Sequence, residues 1–284
     1  NDDTSSLFTD LLNNNEDKKD DDFMSSLLET TTSNTNSENN KDDNTLENSI
    51  NQIPPFEKFH VLHVDPLLLE IEDFFTEEEC KTYLQMSTAT KKGIQSQTLG
   101  KVKSSRTSTT WYHKYKDAPE FIAKACRLLG FTDDITQLEE IQTVRYRNGE
   151  KFTWHLDALP PSEEQQQQRI GTLLVYLTSL SEDAGGATMF RDLCDPITGT
   201  KPLRVQPRRG NALLFFPSAG GLPSTPFDIR TIHCGEEVIS GNEEKWIAQL
   251  WIDSHPYRIT LPGNSHDHRD VIPSIQEYCH KQQK

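Results

Sequence analysis

The stretch Arg145-Tyr-Arg-Asn-Gly-Glu-Lys-Phe-Thr-Trp-His-Leu-Asp157 decides how the rest of the chain is read. His155 and Asp157 stand two residues apart in what reads as a strand. Side chains at that spacing share one face, and their Cα atoms lie about 6.6 Å apart. An imidazole nitrogen and a carboxylate oxygen can therefore converge on one ion. One further His would complete a two-His, one-carboxylate set, which leaves three positions open on non-haem Fe(II). His63-Val-Asp65 has the same spacing but precedes Pro66 without companion residues, and it reads as a loop or strand edge. His266-Asp-His268 falls in a polar tail and reads as solvated.

Around this stretch the hydropathy pattern has a period near two from residue 138 onward. It predicts strands over 139–147, 151–157, 169–179, 186–190, 202–206, 211–216, 229–239 and 245–253, with Gly, Pro, Asn and Asp turns between them. So many short strands imply an α+β, mainly β domain: a sandwich or barrel with helices on one side. Upstream, Phe59-His-Val-Leu-His-Val predicts an edge strand. Thr76 followed by Glu79 is a capping-box signature opening a helix through Cys80, Tyr83 and Leu84. A second helix is expected from Pro119 to a stop near Gly130.

Charge is unevenly distributed. The first fifty residues hold 13 Asp/Glu against 3 Lys/Arg, together with ten Asn, a composition of disorder. Residues 1–52 are thus expected to be a solvated acidic segment, 53–260 one domain, and 261–284 a polar tail with room for a short helix. The remainder of the chain is nearly neutral, which argues against a nucleic-acid grip built on phosphate neutralisation. Its apolar runs fall far short of the ~20 residues that span a bilayer. The five cysteines are widely spaced and form no C-x-x-C pair, against a zinc knuckle or redox motif; one or two disulfides stay open.

His155 and Asp157 have ordered company downstream: Gly185-Gly186-Ala-Thr188-Met-Phe190, then Pro207-Arg-Arg-Gly210-Asn-Ala-Leu-Leu-Phe215, then His233 and Lys245-Trp246. With Tyr146, Gly149 and Phe152 before the first His, and with Thr76 to Cys80 and Ser105 to Ser108 upstream, this resembles the prolyl 4-hydroxylase type of Fe(II)/2-oxoglutarate dioxygenase over roughly residues 65 to 258. The resemblance implies a double-stranded β-helix, a jelly-roll or cupin-like barrel with supporting N-terminal helices. By position, His155, Asp157 and His233 correspond to the iron ligands. Lys245 corresponds to the cation on the distal carboxylate of 2-oxoglutarate, and Tyr146 and Thr188 to its hydrogen-bonding residues. Arg106, Phe152, Arg169 and Trp251 correspond to substrate-side positions. Gly185, Gly186, Phe190 and Phe215 are assigned structural roles.

The activity implied is hydroxylation of peptidyl proline in a proline-rich chain, consuming O₂ and converting 2-oxoglutarate to succinate and CO₂, with L-ascorbate in support. The match departs from the family in three places. Lys245 follows His233 by twelve residues where ten is usual; the increment is even, so the inward face can be kept. Phe152 stands where many members have Tyr, and Asp253 where His is frequent. These two keep open the same chemistry on another peptidyl residue or a small molecule, and a catalytically silent peptide-binding module is the alternative of a different class. Residues 93–106 and 218–227 are expected to be either substrate-closing lids or passive loops. The resemblance implies the endoplasmic reticulum, with membrane attachment only through an anchor preceding Asn1; a cytoplasmic location is the alternative.

Overall fold

In a computed structural model, the described residues are 46–90, 93–96, 106–131, 134–160, 167–218 and 227–282. Most of the expected acidic segment lies outside them, as do residues 97–105 and 219–226 of the two expected lids. The elements in chain order are α1 (Leu46–Ile50), β1 (Phe59–His63), β2 (Leu68–Ile71), α2 (Glu77–Thr90), β3 (Ile94–Gln95), β4 (Thr109–His113) and α3 (Pro119–Leu129). There follow β5 (Ile141–Tyr146), β6 (Phe152–His155), β7 (Arg169–Tyr176), β8 (Thr188–Phe190), β9 (Leu203–Val205), β10 (Ala212–Phe215), β11 (His233–Gly235), β12 (Lys245–Asp253) and α4 (His268–Gln282).

The helices begin and end where their local chemistry dictates. At the start of α2 the Thr76 N–H donates to Glu79 Oε2 at 2.7 Å and the Glu79 N–H donates to Thr76 Oγ1 at 3.2 Å, a complete capping box. Pro119 occupies the first turn of α3, and Gly130, with φ 74°, closes it in the left-handed region.

Strand alternation sets the layers. The eight-stranded sheet has the order β1-β2-β10-β7-β12-β5-β4-β3, and the four-stranded sheet β6-β11-β8-β9. Along β12, Trp246, Ala248, Leu250 and Ile252 join the core shared with the helices. The alternate Ile247 joins a second core with Tyr146, Tyr176 and Phe215 of the large sheet and Phe190 and Val205 of the small one. The central strands of the large sheet thus send one face to the helices and the other to the small sheet, a two-sheet jelly roll. The two sheets are not hydrogen-bonded into one closed barrel among the described residues; isolated bridges such as Arg106 to Phe152 lie outside the ladders.

Several expectations are corrected. The folded unit starts before residue 53, because Leu46, Ile50 and Ile53 are buried in the helical core. Residues 261–282 are no polar tail: Val271, Ile275, Tyr278 and Cys279 form one helical stripe of α4 buried in that same core. His266, expected in solvent, stacks on Tyr115 with ring centroids 4.9 Å apart. The strand expected over 229–239 shrinks to β11, since Asp228 caps a 3₁₀ turn over Ile229–Thr231. All five cysteines are free thiols. No helix among the described residues is long and apolar enough to cross a membrane.

Candidate metal centre and cosubstrate pocket

Antiparallel pairing of β6 and β11 places His155 and His233 directly opposite one another. β6 ends at His155, so Asp157 reaches the same point from the turn beyond the strand, not from the strand face. One ligand atom from each of the three residues can be chosen with all lying within 4.8 Å of one another. His155 Nε2 is 3.6 Å from Asp157 Oδ1, and His233 Nε2 is 3.7 Å from Asp157 Oδ2.

Outer contacts orient these donors. Nδ1 of His155 lies 2.8 Å from the Thr153 carbonyl, and Nδ1 of His233 lies 3.0 Å from that of Thr231. With Nδ1–H donated to a carbonyl, each ring turns its Nε2 lone pair inward, the tautomer a metal requires. Thr172 Oγ1 donates to Asp157 Oδ2 at 2.8 Å. Burial, reinforced by His233, lowers the pKa of His155 and keeps the ring neutral. Burial works against ionisation of Asp157, but His233, His155 and Arg169 outweigh it and hold the carboxyl below its ordinary value. Two imidazoles and one carboxylate on a shared centre fit an Fe(II) site with open positions.

A cleft of about 400 Å³ extends from this centre between the sheets. At its inner end Lys245, only 2% exposed, points inward from β12. The two extra residues before it are taken up in the turn, where Glu243 accepts hydrogen bonds from the Ser181 N–H and hydroxyl. The ammonium donates to Thr188 Oγ1 at 3.3 Å and lies 5.5 Å from the Tyr146 ring centroid and 5.8 Å from that of Tyr176. Burial pulls its pKa down to about 7, against the pull of Cys234 and Glu236. A buried cation with one hydroxyl partner in a mostly apolar pocket is a seat for an anion.

Gly185 and Gly186 serve the chain path. Both have positive φ, and a Cβ on Gly185 would come within 2.3 Å of the Glu237 carbonyl oxygen.

On the outer side, Phe152 stacks on His155 with centroids 3.5 Å apart, and the Arg106 guanidinium lies 4.7 Å from the Phe152 centroid. Arg169 stacks on Trp251 at 3.6 Å and is paired with Glu139, its Nη2 donating to Oε2 at 2.8 Å. Its Nη1 also reaches the Asp157 carbonyl at 3.4 Å, so Arg169 supports a donor residue from behind. Asp253 is fully buried; burial and the neighbouring Glu139 raise its pKa, and its carboxylate accepts from Gln167. The structure adds Tyr176, Thr172, Glu139 and Gln249, which the sequence reading did not single out. Thr172 and Tyr176 share the inward face of β7 with Leu174, a parity hidden inside an apolar run.

Residues 141–253 match the model of the 2OG-Fe(II) oxygenase superfamily, a range containing His155, Asp157, His233, Lys245, Tyr146 and Thr188. Prolyl 4-hydroxylase 13 of Arabidopsis thaliana is 30% identical over 232 residues, which cover 74% of this chain and 78% of that protein. The chain belongs to the prolyl 4-hydroxylase family. A second relative, probable prolyl 4-hydroxylase 9 of Arabidopsis thaliana, is 29% identical over 225 residues, 73% of this chain and 74% of its own length. In fold the chain is similar to the viral collagen prolyl hydroxylase of Paramecium Bursaria Chlorella virus-1. That structure superposes with a TM-score of 0.50 at 24% identity, covering 66% of this chain and 96% of the viral one. For this prolyl 4-hydroxylase family member, family membership and the geometry agree on one pocket.

Proposed function

We propose that this chain is an Fe(II)- and 2-oxoglutarate-dependent dioxygenase that hydroxylates peptidyl proline. The observation that carries the reading is the convergence of His155, Asp157 and His233 at one end of a cleft whose other end holds the buried Lys245 ammonium. Fe(II) with 2-oxoglutarate supplies the oxidising power, coupling decarboxylation to succinate and CO₂ with insertion of an oxygen atom into a C–H bond.

The chain's own residues bind, orient and exclude water. His155, Asp157 and His233 would hold the metal through Nε2, a carboxylate oxygen and Nε2. Lys245 and Thr188 would receive the distal carboxylate, and the dicarboxylate's charge would stabilise the ammonium that burial disfavours. Tyr146, Ile247 and Leu174 wall the cleft and keep it dry. Arg106 and Phe152 at the outer side, with Trp251 braced by Arg169, form the wall facing substrate.

Phe152 and Asp253, the positions that kept other substrates open, are occupied structurally. Phe152 packs on His155, and Asp253, with no exposed surface, is turned to Gln167 and Glu139, so it presents no acid to substrate. This favours the peptidyl-proline reading. Ascorbate as supporting reductant and the endoplasmic reticulum as compartment accompany the proposal on the family resemblance.

The test is incubation of purified protein with Fe(II), ascorbate, 2-oxoglutarate and a panel of proline-rich peptides. Hydroxyproline, a one-oxygen mass gain and matching succinate release are expected, all lost in His155→Ala and Lys245→Ala. Succinate without peptide oxidation would move the substrate elsewhere; neither product from metal-loaded protein would favour a silent binding module.

A further inference from the structure

The three metal donors differ in what holds them. Asp157 has the Thr172 hydroxyl on Oδ2 and Arg169 on its carbonyl. His233 belongs to β11, an inner strand paired with β6 on one side and β8 on the other. It is 5% exposed, and its ring packs on Phe215 and Phe190, with centroids 4.9 and 5.6 Å away. His155 ends β6, the outermost strand of the small sheet, whose only ladder partner among the described residues is β11. Its Nδ1 bond runs back to Thr153 of the same strand, so that bond ties the ring to β6 alone. Held in no other way, an imidazole at the end of an edge strand would aim Nε2 loosely, and a loosely aimed donor weakens metal binding.

A stack supplies the constraint that the strand does not. The Phe152 ring lies on the His155 ring with centroids 3.5 Å apart and planes 19° from parallel. The Arg106 guanidinium is over the same phenyl, 4.7 Å from its centroid. An imidazole that close fills one face of the phenyl, so the guanidinium takes the other and the ring is sandwiched. A planar, weakly hydrated cation suits such a face better than a compact ammonium. Arg106 is anchored in turn. It is 7% exposed, and its Nε donates to the hydroxyl of the fully buried Ser108 at 3.3 Å. Its backbone bridges Phe152 on the edge of β6 away from β11.

We propose that Arg106 and Phe152 are positioning residues for the metal centre, forming a guanidinium, phenyl and imidazole stack that fixes the orientation of His155. The family resemblance places both side chains on the substrate side, and the geometry gives them this further task. Phe152 has no hydroxyl to offer a substrate, and both of its faces are taken, which leaves the ring edge for the cleft it lines. The inference rests on the metal-centre part of the reading above and is independent of which C–H bond is oxidised. Both residues act through His155, so neither is a catalytic residue.

The experiment compares the unaltered chain with Phe152→Leu, Phe152→Tyr and Arg106→Met. Fe(II) affinity is read by anaerobic calorimetry without peptide. Contacts that orient a metal ligand are typically worth about 10- to 100-fold in affinity, so Phe152→Leu should raise the Fe(II) Kd at least about tenfold. Arg106→Met loses the cation but leaves the ring, and should raise it about three- to tenfold. Phe152→Tyr restores a ring of the same shape and should stay within about twofold of the unaltered chain. Proton NMR of the Co(II)-loaded protein reads the imidazoles themselves. Of the two paramagnetically shifted Nδ1–H signals, one should move or broaden in Phe152→Leu while the other stays. At saturating Fe(II), the KM for a proline-rich peptide should stay within about threefold in Arg106→Met. Unchanged Fe(II) affinity in both Phe152→Leu and Arg106→Met would overturn the stack, and a raised peptide KM beside it would mark the two residues as substrate contacts only. Equal losses in Phe152→Leu and Phe152→Tyr, or displacement of both imidazole signals, would overturn it too. If the unaltered chain binds neither Fe(II) nor Co(II), the metal reading fails and the stack with it. If it binds metal but oxidises no peptide, the peptidyl-proline reading fails and the stack is judged on the metal data alone.

Discussion

Replacing Lys245 with Met should make the ligand-free protein more stable and unresponsive to 2-oxoglutarate. Lys245 is almost completely buried, it donates a hydrogen bond to Thr188, and it forms no salt bridge among the described residues. Burial brings its pKa from 10.5 to about 7. The folded value lies below the unfolded one, so the unfolded chain holds the proton more tightly, and stability rises with pH between about 7 and 10.5. At pH 7 that difference corresponds to at most about 4 kcal/mol lost to keeping an amine in this pocket. Relaxation and water entry reduce the effective cost to roughly 2 kcal/mol. Met fills a similar volume with no charge, so the variant should melt about 4–8 °C higher at neutral pH. The gap should narrow as pH is raised, because the wild-type lysine then sheds its proton. Added 2-oxoglutarate at about 100 times Kd should stabilise wild type by roughly 2.7 kcal/mol and the variant not at all. Scanning calorimetry from about pH 6.5 to 10, with and without the dicarboxylate, measures all three. A variant that melts at or below wild type at neutral pH, or that keeps the ligand response, would refute the reasoning.

Three further outcomes follow from named contacts. Thr172→Val removes the hydroxyl that donates to Asp157 Oδ2 and should weaken Fe(II) binding about 10- to 100-fold, read by metal titration, with the fold intact by circular dichroism. Glu139→Gln leaves the buried Arg169 without its carboxylate and should cost about 3 kcal/mol, a melting point lower by roughly 6–12 °C; an unchanged melting temperature would show that Arg169 is compensated by other groups. Deleting residues 266–284 strips Val271, Ile275, Tyr278 and Cys279 from the helical core. At about 1.5–3 kcal/mol per side chain this equals most of a domain's stability, so the shortened chain should be protease-sensitive at temperatures where the full chain resists.

The metal donors were legible because their chemistry is local. His155 and Asp157 are two residues apart, the Gly-Gly-x-Thr and Pro-x-x-Gly blocks each lie within one strand and its turn, and His233 and Lys245 open two successive strands joined by one short connection. The capping box at Thr76 and Glu79 and the Gly130 stop were legible for the same reason. The misreadings share an opposite cause. Residues 261–284 look polar because few of them are apolar: Val271, Ile275, Tyr278 and Cys279, with Ile272 packed beside them, face the core, and that stripe acquires meaning only once α1 and α3 stand beside it. His266 reads as solvated until Tyr115, 151 residues earlier in the chain, is placed against its ring.

The sequence by itself determined the strand alternation, the candidate donors and the parity that keeps Lys245 inward despite two added residues, since a strand's period of two is a property of its own backbone. Only the tertiary structure decided what each donor meets. It set His233 across from His155 and closed Arg169 onto Glu139. It turned Asp253 away from the cleft and laid Gln142 beside Gln249. These pairings join residues tens to more than a hundred positions apart, and their energies depend on burial and register, which exist only after the sheets have formed.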